Sequence, residues 1–195
     1  ASECRLGTSR KQTPPGRNNA RAFVRNLLGS ARCSTTAQNV TAANFIRFGA
    51  TRLDGSSIVT SLAGPIEFGA ITSPTSRALT IATPGTVTLH GPVGTSADRL
   101  ASLTRTGSGL TVLQGDTFTS GVQSFAGDVR FDNALDVHSG GLFNIAGNSL
   151  LAGDVNILAN GANFSGTVDS SGAAHSLHVT SAAPVVFGAA IGSGL

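Results

Sequence analysis

The sequence is short of charge and of several large side chains. Only 12% of the 195 residues are Asp, Glu, Lys or Arg, about half the usual share for a soluble domain, and Trp, Tyr and Met are absent. Two cysteines are too few to build a disulfide scaffold. No apolar run approaches the roughly 18 residues that a transmembrane helix needs. A hydrophobic content of 40% excludes wholesale disorder.

The charge that is present is unevenly distributed. Residues 1–52 carry nine Arg or Lys against one acid, a formal +8, whereas residues 53–195 carry four Arg against nine acids, a formal −5. A basic terminal segment is a signal for binding to nucleic acid or to an anionic surface. These charges are scattered and lack the aromatic side chains of single-strand binders, so no nucleic-acid partner is expected. Binding of nucleic acid or an anionic surface by this segment is kept as an alternative function. We interpret residues 1–50 as a basic N-terminal segment of low order and residues 51–195 as a separate repeat domain.

The N-terminal segment has few structural signals. Pro14 and Pro15 exclude regular structure around them, whereas residues 20–28 have the apolar spacing of a short helix. No unbroken apolar stretch follows the early positive charges, so the sequence predicts no secretory signal peptide. Cys4 and Cys33 would pair in an oxidising compartment or stay as two free thiols, and the sequence leaves both alternatives open.

From about residue 44 the chain repeats a short motif in which two apolar residues flank a residue that is polar in nine of ten cases. A period of two places the flanking residues on one face of a strand and the middle residue on the other. Gly, Ser, Asn and Asp separate the motifs and favour turns. The ten triplets are 66–68, 79–81, 87–89, 110–112, 129–131, 135–137, 143–145, 155–157, 177–179 and 185–187.

The spacing of the triplets indicates a solenoid. The interval from Ile66 to Val87 is the same as the interval from Phe68 to Leu89. A period of roughly 20 residues with several short strands per unit is typical of stacked coils, which bury one continuous column of apolar side chains. We therefore predict an all-β fold with about six or seven coils, and a β-sandwich is the alternative, because it also uses short strands at regular intervals.

The repeats resemble those of bacterial filamentous haemagglutinin-like proteins. The stretches that carry the resemblance are 85–94 (GTVTLHGPVG) followed by 100–104 (LASLT), 121–131 (GVQSFAGDVRF) and 162–169 (ANFSGTVD), and the likeness extends over about residues 60–195. The resemblance implies a right-handed parallel β-helix from a large protein that is exported to the surface of Gram-negative bacteria. It also implies a non-catalytic, adhesive role, with a glycan or protein of a host or neighbouring cell as partner. Because the chain is short and lacks a recognisable secretion domain, we expect a fragment of such a fibre.

A carbohydrate-active β-helix enzyme is the main alternative. Such enzymes need clustered carboxylates, and Asp128, Asp132 and Asp136 are evenly spaced, with Arg130 between the first two. Asn133 favours a turn, however, which would separate the three acids. We therefore expect no catalytic residues, and we expect these carboxylates to be solvent-facing.

Metal and cofactor signals are weak. Of the four histidines (His90, His138, His175 and His178), only the last two are close in sequence, and their odd spacing would place them on opposite faces of a strand. We expect no metal ion and no cofactor, and we expect His178 to be exposed. Six phenylalanines at strand positions are expected to stack inside the coils: Phe68, Phe125, Phe131, Phe143, Phe164 and Phe187. An uncapped solenoid also favours end-to-end self-association.

Overall fold

A computed structural model describes residues 33–35 and 39–192 of the chain, and every described element is a β-strand. The strands are parallel and stack into a β-solenoid of about seven turns, as the triplets predicted. The expected β-sandwich alternative is thereby excluded. The expected helix at 20–28, Cys4 and most of the basic segment lie outside the described residues, so the two alternatives for Cys4 and Cys33 stay open.

Each coil contributes one strand to each of three sheets, which we name A, B and C. Sheet A contains β1 (Cys33–Thr35), β4 (Thr51–Leu53), β7 (Ile71–Thr72), β12 (Thr117–Thr119), β15 (Leu135–Ser139), β18 (Val155–Ala159) and β21 (Leu177–Ser181), with Val93 bridging β7 and β12. Sheet B contains β2 (Asn39–Ala42), β5 (Ser57–Ser61), β8 (Ala78–Ala82), β10 (Ser102–Thr106), β13 (Gln123–Phe125), β16 (Phe143–Ile145), β19 (Ala162–Phe164) and β22 (Val185–Phe187). Sheet C contains β3 (Ile46–Phe48), β6 (Ile66–Phe68), β9 (Val87–Leu89), β11 (Thr111–Leu113), β14 (Val129–Phe131), β17 (Ser149–Leu151) and β20 (Val168–Ser170).

The first described strands lie upstream of residue 51. β2 and β3 pair with β5 and β6 in the same parallel arrangement as the later coils. The stacked architecture therefore includes residues 39–50 as well as the repeat domain expected from the sequence.

The alternation of the triplets determines which side chains enter the core. In most strands the outer two residues of a triplet are buried and the middle one is partly or fully exposed, because successive side chains of a strand point to opposite faces. The two equal intervals noted in the sequence correspond to strand pairing, since Ile66 pairs with Val87 and Phe68 pairs with Leu89. One triplet was assigned in the wrong register: Thr111 and Leu113 are buried, and Leu110 and Val112 are the partly exposed residues.

Phenylalanines stack along the interior. Five of the six predicted core phenylalanines are buried, and Phe143 lies between Phe125 and Phe164 at ring-centroid distances of 6.0 and 5.9 Å. Phe187 is the exception at 38% exposed, although it stacks on Phe164 at 5.1 Å. Phe187 belongs to the last described coil. Its ring is therefore covered by Phe164 on one side, and no described coil covers the other side.

Glycine allows neighbouring coils to approach at several corners. A Cβ atom on Gly153 would lie within 3.0 Å of the backbone carbon and the carbonyl oxygen of Asn133 in the preceding coil. The absence of a side chain at this corner therefore sets the distance between two coils.

We expect Gly153→Ala to lower the free energy of unfolding by about 1–3 kcal/mol, because the added methyl group must push two backbones apart. Urea denaturation followed by circular dichroism measures the change. Gly172→Asn is the matched control, since nothing lies within 4 Å of a Cβ there and asparagine tolerates the local φ of +81°. An equal loss in both variants would show that close coil contact is not the cause.

Candidate functional site

The three acids of the predicted enzyme site lie on different parts of one coil. Asp128 precedes β14 at the corner between sheets B and C, Asp132 follows β14 at the corner between sheets C and A, and Asp136 points outward from β15. Asp128 Oδ1 accepts a hydrogen bond of 2.7 Å from the backbone N–H of Asn148. The structure therefore does not bring the three carboxylates together as a catalytic pair or triad.

Asp132 belongs to a chain of polar side chains that crosses the outer face of sheet C. Its members come from five successive coils and are Arg47, Glu67, His90, Gln114, Asp132 and Arg130. At one end, Glu67 Oε2 lies 3.4 Å from Arg47 Nε and 3.5 Å from His90 Nε2. Basic and acidic groups thus alternate along this surface.

The side-chain amide of Gln114 joins the two halves of this series of polar side chains. The Gln114 side chain connects to His90 Nδ1 through Oε1 at 2.9 Å and donates from Nε2 to Asp132 Oδ2 at 2.9 Å. Arg130 Nε lies 2.6 Å from Asp132 Oδ1. Because the charges pair with one another, they stabilise the contact between neighbouring coils only modestly. For the same reason, the net electrostatic field at this surface is too small to attract a charged ligand strongly.

A shallow groove of about 220 Å³ runs along the corner between sheets B and C. Its lining includes Leu110, Asp128, Asn148, Leu150, Thr167 and Asp169. Asn148 Oδ1 accepts hydrogen bonds from the backbone N–H and the hydroxyl of Thr167, at 3.0 and 3.2 Å. Asp128, Asn148 and Thr167 are therefore linked by hydrogen bonds from coil to coil.

The outer face of sheet A carries two columns of different chemistry. Pairing of β12, β15, β18 and β21 aligns Phe118, His138, Leu158 and Thr180 in one column, which we call the ring column. The Phe118 and His138 rings stack with centroids 4.8 Å apart and planes 16° apart. Leu158 is 49% exposed next to them. His138 Nδ1 is shielded from solvent and has no hydrogen-bond partner.

The second column lies two residues earlier on the same strands. It contains Asp136, Asn156 and His178 and begins with Asp116 just before β12, and we call it the acid column. Asp116 Oδ1 accepts a 2.9 Å hydrogen bond from the backbone N–H of Asp136, and Asp136 Oδ1 accepts one of 3.1 Å from Asn156 Nδ2. His178 is exposed, as predicted.

His175, which is close to His178 in sequence, lies near an acid. His175 Nδ1 is 3.9 Å from Asp154 Oδ1, which also accepts a 2.8 Å hydrogen bond from the backbone N–H of Ser176. This hydrogen bond is the main cause that lowers the pKa of Asp154 below its usual range, and His175 adds to it. Within residues 39–192 no group of three His, Cys, Asp or Glu side chains could hold a metal ion.

A buried arginine is the largest polar feature of the interior. Arg105 is 1% exposed, and its Nη2 donates to the carbonyl oxygens of Thr83 at 3.3 Å and Gly85 at 2.9 Å. Its Nε and Nη1 atoms have no hydrogen-bond partner. Loss of hydration on burial lowers the pKa of Arg105, and the nearby Asp128 carboxylate partly opposes this effect. The guanidinium thus links β10 by hydrogen bonds to the corner that follows β8 in the preceding coil.

Sequence reasoning missed Arg105 and both columns of sheet A. The sequence contains a signal for the burial of Arg105, because in the alternating stretch Leu103–Arg105 it occupies the position at which an inward, apolar residue is expected. The columns join residues of successive coils that are far apart in sequence, and only the pairing of coils shows which residues become neighbours.

Comparisons with known proteins found no match among protein-family models, curated proteins or solved structures. In the described part of the chain there is no helix long and apolar enough to cross a membrane.

Proposed function

We propose that this chain is a structural and adhesive solenoid segment of a bacterial secreted surface protein, without a catalytic role. The observation that carries the proposal is the parallel stacking of coils, which is continuous in sheets B and C and is bridged by Val93 in sheet A, because this stacking makes a stiff rod. At roughly 4.8 Å per coil, seven turns give a length on the order of 30 Å. The resemblance of residues 60–195 to filamentous haemagglutinin-like repeats supports the same proposal.

The mechanism is geometric. Backbone hydrogen bonds between coils hold the rod straight, and outward side chains form ladders along it. On sheet B, for example, Asn163 Nδ2 donates to Asn144 Oδ1 at 2.8 Å, and Asn144 Nδ2 donates to Ser124 Oγ at 3.3 Å. Such flat, polar, uncharged surfaces present donors and acceptors to a glycan or protein on a host or neighbouring cell.

The proposed location is the exterior of a Gram-negative outer membrane. Self-association of the isolated chain at an end of the rod is part of the proposal. The inward side of the last described coil is partly exposed at Val185 and Phe187, whereas the inward side chains Val40 and Ile46 of the first complete coil are buried. The coil of a second copy would cover the exposed apolar side chains and pair the free strand edges.

The adhesive role predicts that beads coated with the purified chain stay on a cultured epithelial monolayer under flow, and that excess soluble chain releases them. Beads coated with albumin are the control for non-specific retention. Retention equal to that of albumin beads, or retention that soluble chain does not compete, would contradict adhesion. Release of reducing ends from a polysaccharide panel, abolished by Asp136→Asn, would favour the enzyme alternative.

A further inference from the structure

The corner between β18 and β19 contains the only Asn-Gly pair of the sequence, Asn160–Gly161. The side-chain amide of an asparagine reacts with the backbone nitrogen of the next residue when the two groups meet, because the attack closes a five-membered ring. Glycine at the second position favours this reaction, since it has no Cβ atom to obstruct the approach. In a folded chain, the hydrogen bonds of the two residues decide whether the reaction is permitted.

Both reacting groups at this corner are free of hydrogen bonds. The Asn160 side chain is exposed and has no hydrogen-bond partner among the described residues. Gly161 is buried, yet no described residue accepts a hydrogen bond from its backbone N–H. A buried donor without an acceptor raises the free energy of the folded chain. Ring closure removes this donor, because the nitrogen of the resulting imide carries no hydrogen.

A second exposed asparagine has the opposite arrangement. Asn148 also precedes a buried residue, Ser149, at the corner between sheets B and C. The Ser149 N–H donates to the carbonyl oxygen of Thr167 at 2.7 Å, and Asn148 Oδ1 accepts from the Thr167 N–H at 3.0 Å. The next coil therefore holds both reacting groups of this pair, and these hydrogen bonds must break before the groups can react.

We propose that Asn160 is a site of spontaneous covalent modification, for which the chain supplies both reacting groups and water is the only co-reactant. The Gly161 nitrogen loses its proton and bonds to Asn160 Cγ, and the side-chain amide nitrogen leaves as ammonia. Water then adds across one of the two bonds that join the imide nitrogen to a carbonyl carbon. Cleavage of the bond to Cγ gives aspartate, and cleavage of the bond to the main-chain carbon gives isoaspartate.

The isoaspartate product changes the geometry of the corner. Its main chain passes through the former side chain and is longer by a methylene group. The Asn160 N–H donates to the Gly141 carbonyl oxygen at 3.1 Å, and the Gly161 carbonyl oxygen accepts from the Phe143 N–H at 3.0 Å. These hydrogen bonds hold both sides of the modified bond against the preceding coil. Isoaspartate therefore loosens the contact between β16 and β19, whereas aspartate adds only a negative charge.

The test of the reaction is incubation of the full chain at neutral to alkaline pH, folded and in concentrated urea, with peptide mapping by mass spectrometry. Comparison with urea removes the intrinsic effect of the neighbouring residue at each site. We expect folding to slow the reaction of Asn148 at least about tenfold, because a protecting hydrogen bond must open first. Folding should slow the reaction of Asn160 much less. Asn160→Ser, which has no amide group, is the control and should stay unmodified at residue 160.

The products identify the route. A cyclic intermediate gives aspartate and isoaspartate together, its formation speeds up as pH rises, and hydroxylamine traps it by splitting the folded chain after residue 160. Hydrogen exchange measures the effect on the fold: the Phe143 amide should exchange faster in the isoaspartate form than in freshly prepared Asn160→Asp, which has the charge and the normal main chain.

Four results would overturn the inference: no modification of Asn160 in the folded chain, equal slowing of Asn160 and Asn148 by folding, aspartate without isoaspartate, or the same Phe143 exchange in the isoaspartate form and in Asn160→Asp. The first three contradict the reaction, and the fourth contradicts its effect on the coils. Neither part depends on the adhesive role, which the bead experiment tests separately.

Discussion

Replacing Phe143 by alanine is expected to lower the free energy of unfolding by about 3–5 kcal/mol. Phe143 is 0% exposed and packs between Phe125 and Phe164, so its removal leaves a cavity in the middle of the stacked column. A cavity there also weakens the contact between three coils, because each coil is stabilised mainly by its neighbours. Urea denaturation monitored by far-ultraviolet circular dichroism measures the loss.

The neighbouring residue provides the control for this prediction. Asn144 follows Phe143 on the same strand but points outward, where it makes single hydrogen bonds to Ser124 and Asn163. Asn144→Ala should therefore cost no more than about 1.5 kcal/mol per hydrogen bond lost, and less where water replaces the partner. If the two variants lost equal stability, the inward and outward assignment of β16 would be wrong.

The second large effect is expected at Arg105. In Arg105→Ala the carbonyl oxygens of Thr83 and Gly85 lose their donor and a cavity opens, so we expect a loss of about 3 kcal/mol or more. In Arg105→Met the side chain fills most of the volume and the cost of a buried charge with unpartnered Nε and Nη1 atoms disappears. The methionine variant should therefore lie within about 1 kcal/mol of the parent chain.

The comparison of the two variants separates packing from hydrogen bonding. Thermal and urea denaturation of both variants gives the two losses under the same conditions. If methionine were as destabilising as alanine, the hydrogen bonds to the corner carbonyls would be the dominant contribution of Arg105. If both variants were neutral, the interior position of the guanidinium would itself be contradicted.

The fold could be predicted because the core needs only a local pattern. The triplet at 66–68 and its constant spacing to 87–89 were enough to indicate stacked coils, since each apolar pair must find a similar pair above it. The same local pattern was ambiguous at 110–113, where both Leu110–Val112 and Thr111–Leu113 alternate. The structure places a threonine at the inward position, and a hydrophobic pattern alone does not favour that choice.

The candidate site was harder to predict because it depends on coil length. His90 contacts Gln114 across a sequence separation of 24, whereas Gln114 contacts Asp132 in the next coil across a separation of 18. Without the length of each coil, a sequence gives the outward residues of every strand but not their neighbours, and the stacking of Phe118 on His138 was missed for this reason. Arg105 was missed for a different reason: the guanidinium reaches corner carbonyls of another coil, and their position is a tertiary property.

The unequal lengths of the coils also show where additional residues can leave the stack. The coil from Val93 to its partner Thr117 is longer than the coil from Ile71 to Val93, and its additional residues leave the stack as a loop at 94–101. The loop is closed by hydrogen bonds between Thr95 and Asp98, and Leu100 returns to the ladder through Phe118 O at 3.0 Å. An insertion at such a corner adds an accessory loop without changing the rise per coil. Rod length and peripheral decoration can therefore vary independently, and corners such as 94–101 are natural positions for grafting a peptide onto the solenoid.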